Sequence, residues 1–423
     1  MLSTLRNAWK VPELRKRFLW TIFLVAIFRI GIHIPVPGID TSALSTLTES
    51  GGLLSFYNLI SGGAFTKASI LALSVSPYIN ASIIMQLLTS AIPSLEQLSK
   101  EGEEGRKKTQ SITRYVSIGI ACVLALGVYS TIANLGATSG VGTLEKIVII
   151  FSLVVGSTFC MWLGDQITQK GFGNGVSILI FVNIVSQIPS TVNSVYTLKT
   201  AGEISIIEIL LFLVGVIALL AVTIFFSLAE RRVPIQYAGK AVGSKVMKGQ
   251  STHIPLSIIG SAVIAIIFAM SVMMFPTTIA AFFPSKGWAS WITSSKYSIF
   301  NTGTWMYPVC YAVLTVFFTW FYTQITFKPD EMAENLHKSA GFVPGIRPGE
   351  ATEKYFEKLL TKVSIIGGLF AAFLAVTPIL VGKYISGVQF GGTSLLILIG
   401  VALDFSRQLD SQLVMRHYDG FLK

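Results

Sequence analysis

Residues 53–92 read LLSFYNLISGGAFTKASILALSVSPYINASIIMQLLTSAI. An apolar piece over 53–60 stops at the SGG of residues 61–63, and a second apolar run follows over 68–92. The second run is long enough to cross a bilayer, which takes roughly 20 helical residues, whereas the first piece is too short. Backbone that is not helical is tolerated at membrane depth only where protein or a water-filled cavity surrounds it. These residues therefore predict a re-entrant segment that leads into a full membrane span.

The second run has a mixed face when it is placed on a helix. One stripe is apolar at one end and polar at the other, and it consists of Val75, Ile79, Ser82, Gln86 and Thr89. In one interpretation the stripe packs against other helices, with its polar side chains as interhelical hydrogen-bonding groups. In the other interpretation the stripe lines a passage that excludes water at its narrowest part and admits water at one end.

The composition is that of a polytopic membrane protein. Of 423 residues, 52% are hydrophobic and 13% are charged, and apolar runs are spread over the whole length. The first run, 18–34, contains Arg29 and has no cleavage site of small residues, so we do not interpret it as a signal peptide. The cysteines Cys122, Cys160 and Cys310 lie singly in apolar runs, which predicts neither a disulfide framework nor a metal site.

We predict ten membrane spans, at 18–34, 70–93, 112–133, 146–167, 175–189, 204–228, 255–282, 304–327, 359–381 and 388–405. An even number of spans puts both termini on the same side of the membrane. If that side is the cytoplasm, most of the 32 Lys and Arg residues fall in inside segments, as the positive-inside rule requires. The pattern predicts a multi-pass protein with both termini in the cytoplasm, and it accounts for the net charge of +11.

The spans divide into two groups of five, over 1–190 and 191–423. The last span of each group is predicted to be short and begins in glycines, at 171–175 in the first group and at 391–392 in the second. Short, glycine-interrupted spans in matching positions are typical of an inverted repeat around a central site. Chance similarity of two glycine-rich segments is the alternative.

The sequence contains no recognisable catalytic or nucleotide-binding motif. The four histidines are far apart, and neither a phosphate-binding loop nor a nucleophile elbow occurs, so we predict no catalytic residue, metal site or cofactor. Carboxylates lie at span ends, whereas an ion-coupled transporter needs them inside spans. Arg29 is the clearest charge within a span, and we expect it to snorkel or to form a structural ion pair.

Four motifs resemble the SecY family of protein-conducting channels: SGGA at 61–64, ASI at 68–70, SPYINASII at 76–84 and QLL at 86–88. The resemblance implies an all-α membrane protein whose ten transmembrane helices form two inverted five-helix halves around a central pore. It also implies a re-entrant plug half-helix at about 56–66. The plug residues that it assigns are Phe56, Leu59, Ile60, Gly62 and Gly63.

The resemblance also assigns a pore ring and a lateral gate. The positions that match the family's apolar pore ring are Val75, Ile79, Ile180, Ile267, Ser271 and Ile397. Branched aliphatic side chains exclude water and ions when packed together, yet they form no specific bonds with a sliding polypeptide. Apolar substrate segments leave sideways between the second and seventh spans in this family. The positions assigned to this gate are Ser82, Gln86, Thr89 and Ile259.

The seventh span departs from the family pattern. The family's Asn, Gly and Pro are replaced by Ile259, Ala262 and Ala265. Loss of the proline is expected to stiffen the span, and loss of the asparagine removes a polar contact across the gate. We therefore expect a gate that is sealed more by packing than by hydrogen bonds.

Two long charged loops, with docking regions at about 229–254 and 327–359, resemble the family's docking loops for the SecA motor or the ribosome. The docking positions are Arg231, Arg232, Lys245 and Arg347. An arginine pairs with carboxylates and with phosphates, so the choice between the two partners stays open, and ordinary solvated basic loops are the alternative. The resemblance further implies small SecE-like and SecG-like membrane subunits and a location in the bacterial cytoplasmic membrane.

Together these features predict a channel, not an enzyme. It passes unfolded preproteins that carry signal sequences across the cytoplasmic membrane and releases membrane spans sideways into the lipid bilayer, driven by SecA or the ribosome. A secondary transporter with inverted repeats is the main alternative, and it requires a buried polar or charged site at the midplane. An intramembrane enzyme is the second, and it requires a catalytic dyad or metal pair within the spans.

Overall fold

The computed structural model describes most of the chain. The described residues are 9, 11–39, 61–134, 142–200, 202, 205–237, 241–242, 245–246, 251–260, 262–282, 286–301, 303–384 and 392–421. Of the predicted plug residues, Phe56, Leu59 and Ile60 lie outside these ranges, whereas Gly62 and Gly63 lie within them.

Helices make up most of the described chain. In chain order they are α1 (Pro12–Gly31), α2 (Ser76–Ala91), α3 (Pro93–Lys100), α4 (Glu103–Asn134), α5 (Thr143–Lys170), α6 (Gly175–Thr200), α7 (Ile206–Leu228), α8 (Ala262–Phe282), α9 (Gly287–Ser294), α10 (Met306–Phe327), α11 (Pro329–Lys338), α12 (Glu350–Tyr384) and α13 (Gly392–Phe421). Each of the ten predicted spans overlaps one of these helices. Among the described residues, 7 helices are long and apolar enough to cross a membrane, or up to 8 if α2 and α3 are one broken span bent by 101°.

The second predicted span begins later than expected. Residues 61–75 form successive turns, and α2 begins only at Ser76, with a proline in its first turn. That proline suits the start of a helix, where its missing N–H is not needed, but it would break a helix that continued from residue 70. Ala68 and Ser74 have left-handed φ angles of 47° and 50°, which helical geometry excludes. The expectation of a helix from residue 70 is therefore wrong.

The fifth and tenth spans are not short. Helix α6 has 26 residues and α13 has 30, so both continue well past their predicted ends. Beyond the apolar part of α6, the hydroxyl groups of Ser190, Thr191 and Ser194 donate to carbonyls of the same helix. These local bonds let the helix continue after the hydropathy has fallen. The argument for an inverted repeat from two short spans therefore fails, and the division into two inverted halves stays a prediction.

Part of the chain is β-structure, which the all-α expectation omitted. The strands are β1 (Glu230–Tyr237), β2 (Ala241–Val242), β3 (Lys245–Val246), β4 (Ser251–Ser257) and β5 (Gly341–Phe342). Strands β4, β1 and β5 form an antiparallel sheet in that order, with Val233 opposite Ile254 and Gln236 opposite Phe342. Because β4 runs to Ser257, the seventh span begins at Ala262 and not at 255.

The described residues form five hydrophobic clusters, of which three concern the functional site and a fourth, around Leu153, packs against α4 and α5. The central cluster joins α1, the turns before α2, α5, α6 and the start of α13, with Phe28 and Leu163 fully buried in it. The second cluster joins α8, α10, α12 and α13. The platform cluster lies beneath the three-stranded sheet and joins it to α11 and α12, around the fully buried Phe356. The helices thus place residues from distant parts of the sequence side by side.

Candidate functional site

The apolar residues predicted for the pore ring come together in the central cluster. Val75, Ile180 and Ile397 are buried in it, and Ile79 and Ile267 pack against it while partly exposed. The five side chains come from α2 and the residue before it, α6, α8 and α13. Although Val75 precedes the helix, its carbonyl accepts a 3.1 Å hydrogen bond from the Ile79 amide, so the two residues keep helical spacing. We call these five residues the constriction.

Ser271, the sixth predicted ring residue, forms a link between two helices. Its hydroxyl oxygen lies 2.9 Å from Asn80 Oδ1 on α2 and 2.9 Å from the carbonyl oxygen of Ile267. A hydroxyl has one proton to donate, and exchanging the two ends of the Asn80 amide would let Nδ2 donate to the serine. Either arrangement joins α2 to α8. A hydrogen bond therefore crosses between the second and seventh spans, and packing is not the sole contact there.

Three of the predicted gate residues line a large open cavity. Ser82, Gln86 and Thr89 face a cavity of about 1290 Å³ between α2, α4, α10 and α12. Gln86 Oε1 accepts a 2.8 Å hydrogen bond from the Tyr322 hydroxyl on α10. The polar end of the stripe is thus both a cavity wall and a contact between helices, and the passage itself stays a prediction.

The fourth predicted gate residue lies elsewhere. Ile259 is 5% exposed and is buried in the second cluster, with side chains of α8, α10 and α12. It precedes the first residue of α8, so it does not share a helical face with Ser271. The structure does not bring Ile259 together with Ser82, Gln86 and Thr89.

The mouth of the same cavity carries charges that the sequence analysis did not single out. The acidic lining residues are Glu96, Asp330, Glu331, Glu353 and Glu357, and the basic ones are Arg106 and Lys328. The Lys100 ammonium donates a 2.8 Å hydrogen bond to Glu96 and lowers the pKa of that carboxyl. Six of these seven residues come from α3, α4, α11 and α12, and Lys328 lies between α10 and α11.

Arg29 contacts two uncharged groups in the described part of the chain. Its Nη1 lies 2.9 Å from Ser186 Oγ on α6 and 3.5 Å from the carbonyl oxygen of Gly62. None of the ion pairs among the described residues includes it. The expectation of a structural ion pair is therefore not met there. The arginine instead contacts Gly62, which belongs to the later part of the predicted plug.

The two predicted docking loops form one folded unit, which we call the platform: strands β1, β4 and β5 with helix α11 and the first turns of α12. Strand β1 alternates, with Val233 and Ile235 buried on the platform cluster and Arg232 exposed on the other side. Tyr237 of the first loop is paired with Gly341 of the second. The alternation in ERRVPIQY is a strand signal that the sequence analysis missed.

The predicted docking arginines are exposed on the platform. Arg231 and Arg232 are exposed on β1, and Arg347 is exposed in a turn bounded by Gly345 and Gly349. Both glycines have left-handed φ angles, of 83° and 101°, which other residues adopt only with strain. Lys245 lies on β3, where its backbone is paired with Val242. Among the described residues no group of three or more His, Cys, Asp or Glu side chains is arranged to hold a metal ion.

Comparison with known proteins identifies the family. A family model described as SecY matches residues 69–406. Protein translocase subunit SecY of Rickettsia typhi is 40% identical over 420 residues, covering 97% of this chain and 96% of the relative. The Thermotoga maritima subunit of the same name is 40% identical over 438 residues, covering 100% and 98%.

Solved structures show the same fold at lower identity. One described as the structure of a protein-conducting channel is 18% identical with a TM-score of 0.68, covering 97% of each chain. Sec61 in the canine ribosome–channel complex from the endoplasmic reticulum is 18% identical with a TM-score of 0.64, again covering 97% of each chain. The match to the family model and the full-length relatives carry the assignment, and the chain belongs to the SecY family.

Proposed function

We propose that this protein is the protein-conducting channel subunit of a translocase, which passes unfolded polypeptides across a membrane. The observation that carries the proposal is the constriction, five apolar side chains that meet from four separate segments of the chain. The names of the full-length relatives, protein translocase subunit SecY, support it. Those names describe a translocase subunit, and the role that we propose for this chain is not enzymatic.

The chemistry of the constriction suits passage without binding. Packed aliphatic side chains exclude water and ions by dewetting while the pore is empty. They offer a sliding polypeptide neither charge nor hydrogen bonds, so no sequence is held in place. By resemblance to the family, a plug at about 56–66 is proposed to seal the pore at rest.

Sideways release follows from partition between water and lipid. Transfer of an apolar substrate segment from water to lipid is favourable by about 25 cal/mol for each Å² of apolar surface. A polar segment has no such driving force and stays in the aqueous path. The gap between α2 and α8 is the exit, and the bond between Asn80 and Ser271 closes it at the level of the constriction. Opening the gate then requires this bond to break.

The platform supplies the docking surface. Arg231, Arg232 and Arg347 are exposed on one folded unit and suit a carboxylate-rich motor such as SecA or the phosphates of ribosomal RNA. The energy for transport comes from that partner, and small SecE-like and SecG-like subunits complete the complex. The positive-inside pattern supports a cytoplasmic position of the platform and of both termini, and the proposed location is the bacterial cytoplasmic membrane.

Photocrosslinking tests the passage. A photoactivatable amino acid is placed at Ile79, and a secretory precursor is arrested midway in membranes that contain the whole complex and its motor. We expect a crosslink to the mature part of the precursor. The control carries the same amino acid at Leu153, which is 2% exposed in a cluster away from the constriction and is expected to label only the channel. If the photoactivatable residue at position 79 also crosslinks only to the channel while transport proceeds, the pore assignment is wrong. The secondary-transporter interpretation is then favoured.

A further inference from the structure

The loop between α8 and α10 presents four exposed aromatic side chains that neither the constriction nor the platform uses. Trp288 and Trp291 lie one turn apart on α9, and Tyr297 and Trp305 follow in the same loop. Trp291 is 53% exposed and Trp305 is 69% exposed. Large apolar groups that are exposed together mark a surface that contacts a partner or a membrane. We call these four residues the aromatic surface.

The order of the elements puts this loop at a membrane boundary. Helices α8 and α10 are both long and apolar enough to cross a membrane, and residues 286–305 lie between the end of α8 and the start of α10. The platform lies at the other ends of the two helices, because β4 precedes α8 and α11 follows α10. Trp305 directly precedes the first residue of α10. The aromatic surface is therefore expected where these spans meet the membrane surface opposite the platform.

The loop that follows α9 is fixed by its own hydrogen bonds. Ser298 is fully buried, and its hydroxyl donates a 2.7 Å hydrogen bond to the carbonyl of Ile292. The side-chain amide of Asn301 donates to the carbonyl of Ser295 at 3.2 Å. Phe300 packs against the second hydrophobic cluster. The aromatic surface thus projects from a folded backbone that is attached to the core, so its exposure is a property of the fold.

The charge of this region is positive only. Lys286 and Lys296 are exposed on either side of α9, and the sequence contains no Asp or Glu between residues 231 and 329. Tryptophan and tyrosine favour the headgroup level of a bilayer, where an apolar ring and a polar N–H or O–H are both accommodated. Lysines beside such rings attract anionic headgroups. This combination at the end of two spans suits a lipid surface better than an acidic protein.

We infer that α9 and the loop up to Trp305 lie in the headgroup region of the membrane surface opposite the platform and bind anionic phospholipid there. Ala289 is 1% exposed, and at 100° per residue it lies on a different side of α9 from Trp291. The helix can therefore contact protein with one side and lipid with the other. Lys296, next to Tyr297, supplies a cation for a lipid phosphate. The inference requires a chain that spans the membrane and does not depend on what the constriction passes.

Tryptophan fluorescence of the whole complex tests the position of the loop. The complex is placed in vesicles of phosphatidylcholine and phosphatidylglycerol, and it is quenched either by phospholipid with bromine near the headgroup or by acrylamide in the water. The contribution of Trp291 is the difference between the wild type and Trp291→Phe. We expect the brominated lipid to quench this contribution more strongly than acrylamide does, because the ring lies among lipids.

A second tryptophan shows that the measurement works. Trp162 is 50% exposed on α5, within the predicted span at 146–167, so the brominated lipid is expected to quench the contribution that Trp162→Phe removes. Stronger quenching of Trp291 by acrylamide would place the loop in water and overturn the inference. If neither reagent quenches Trp291 while the lipid quenches Trp162, another protein surface covers the loop, which also overturns it.

The preference for anionic lipid is tested separately. Bromine is carried either by the phosphatidylglycerol or by the phosphatidylcholine of the same mixture, and the ratio of the two quenching levels at Trp291 gives the local preference. Lys296→Gln is expected to lower this preference by about fivefold, the contribution of one lysine near an anionic membrane surface.

Lys199→Gln is the matched control for the lysine variant. Lys199 is exposed in the last turn of α6, in another of the predicted outside segments, and its replacement changes the net charge by the same amount. We expect Lys199→Gln to leave the preference at Trp291 near the wild-type value. Equal losses in the two variants, or no loss in Lys296→Gln, would overturn the assignment of an anionic lipid site to this loop.

Discussion

A contact between two polar side chains joins α2 to α8. The sequence drew attention to Ile259, where the family has an asparagine, and the structure buries Ile259 in the second cluster instead. The polar link between the two helices is the contact of Asn80 with Ser271. The sequence analysis assigned Ser271 to the pore ring and not to a contact with Asn80, because a lone Asn or Ser within an apolar run does not indicate its partner.

The strength of this link can be measured with a double-mutant cycle. Asn80→Ala and Ser271→Ala are each expected to lower the free energy of unfolding of the channel in detergent. Their effects are expected to be non-additive by about 0.6–2 kcal/mol, the range for hydrogen bonds between helices in membranes. Each variant is also expected to relax the requirement for an intact signal sequence, since the gate opens more readily. Additive effects would mean that the contact does not stabilise the closed gate.

Among the elements, the platform shows the largest difference from the sequence analysis. Two loops that seemed to be separate solvated segments are joined by strand pairing between Tyr237 and Gly341 and by a shared apolar cluster. The two-residue strand β5 is too short to be recognised from its sequence. Its pairing depends on the position of β1, which lies about a hundred residues earlier in the chain.

Removal of one buried ring tests whether the platform is a folded unit. Phe356 is fully buried in the platform cluster, and Phe356→Ala is expected to destabilise the platform locally by about 3–5 kcal/mol. Limited proteolysis at the basic residues of β1 is expected to become faster, and binding of the docking partner is expected to weaken. Lys358→Ala, at an exposed position of the same helix, is the control. Unchanged protease resistance in Phe356→Ala would show that the cluster does not hold the loops.

For the whole molecule, the exposed arginines of the platform are expected to govern partner binding. Arg347→Glu is expected to weaken binding of the motor or the ribosome by about tenfold at low salt, because it replaces a cation with a like charge facing an acidic partner. The loss is expected to shrink at high salt, where exposed charges are screened. Cosedimentation of each partner with membranes, at two salt concentrations, measures both effects and also shows which partner binds.

A matched charge reversal gives the control for this experiment. Lys286→Glu changes the net charge by the same amount at an exposed residue just before α9, in the longest of the predicted outside loops. We expect the affinity of Lys286→Glu to stay near the wild-type value. Equal losses in both variants would mean that net charge, not the platform, governs binding.

The sequence by itself determined the class of protein and its family. Hydropathy is a local property, so apolar runs of sufficient length predict spans without knowledge of their neighbours, and each predicted span overlaps a helix. The motifs at 61–64 and 76–84 identified the family for the same reason, because each is contiguous in the chain. Span ends were less accurate, because local bonds and prolines set them and hydropathy does not.

Only the tertiary structure decided which residues meet. The constriction, the contact of Asn80 with Ser271 and the contact of Arg29 with Ser186 all join segments that are far apart in the sequence. Such contacts depend on the packing of whole helices, and no local pattern encodes them. An arginine within an apolar run predicts an ion pair or a snorkelling residue, and only the positions of Ser186 and Gly62 show what Arg29 contacts.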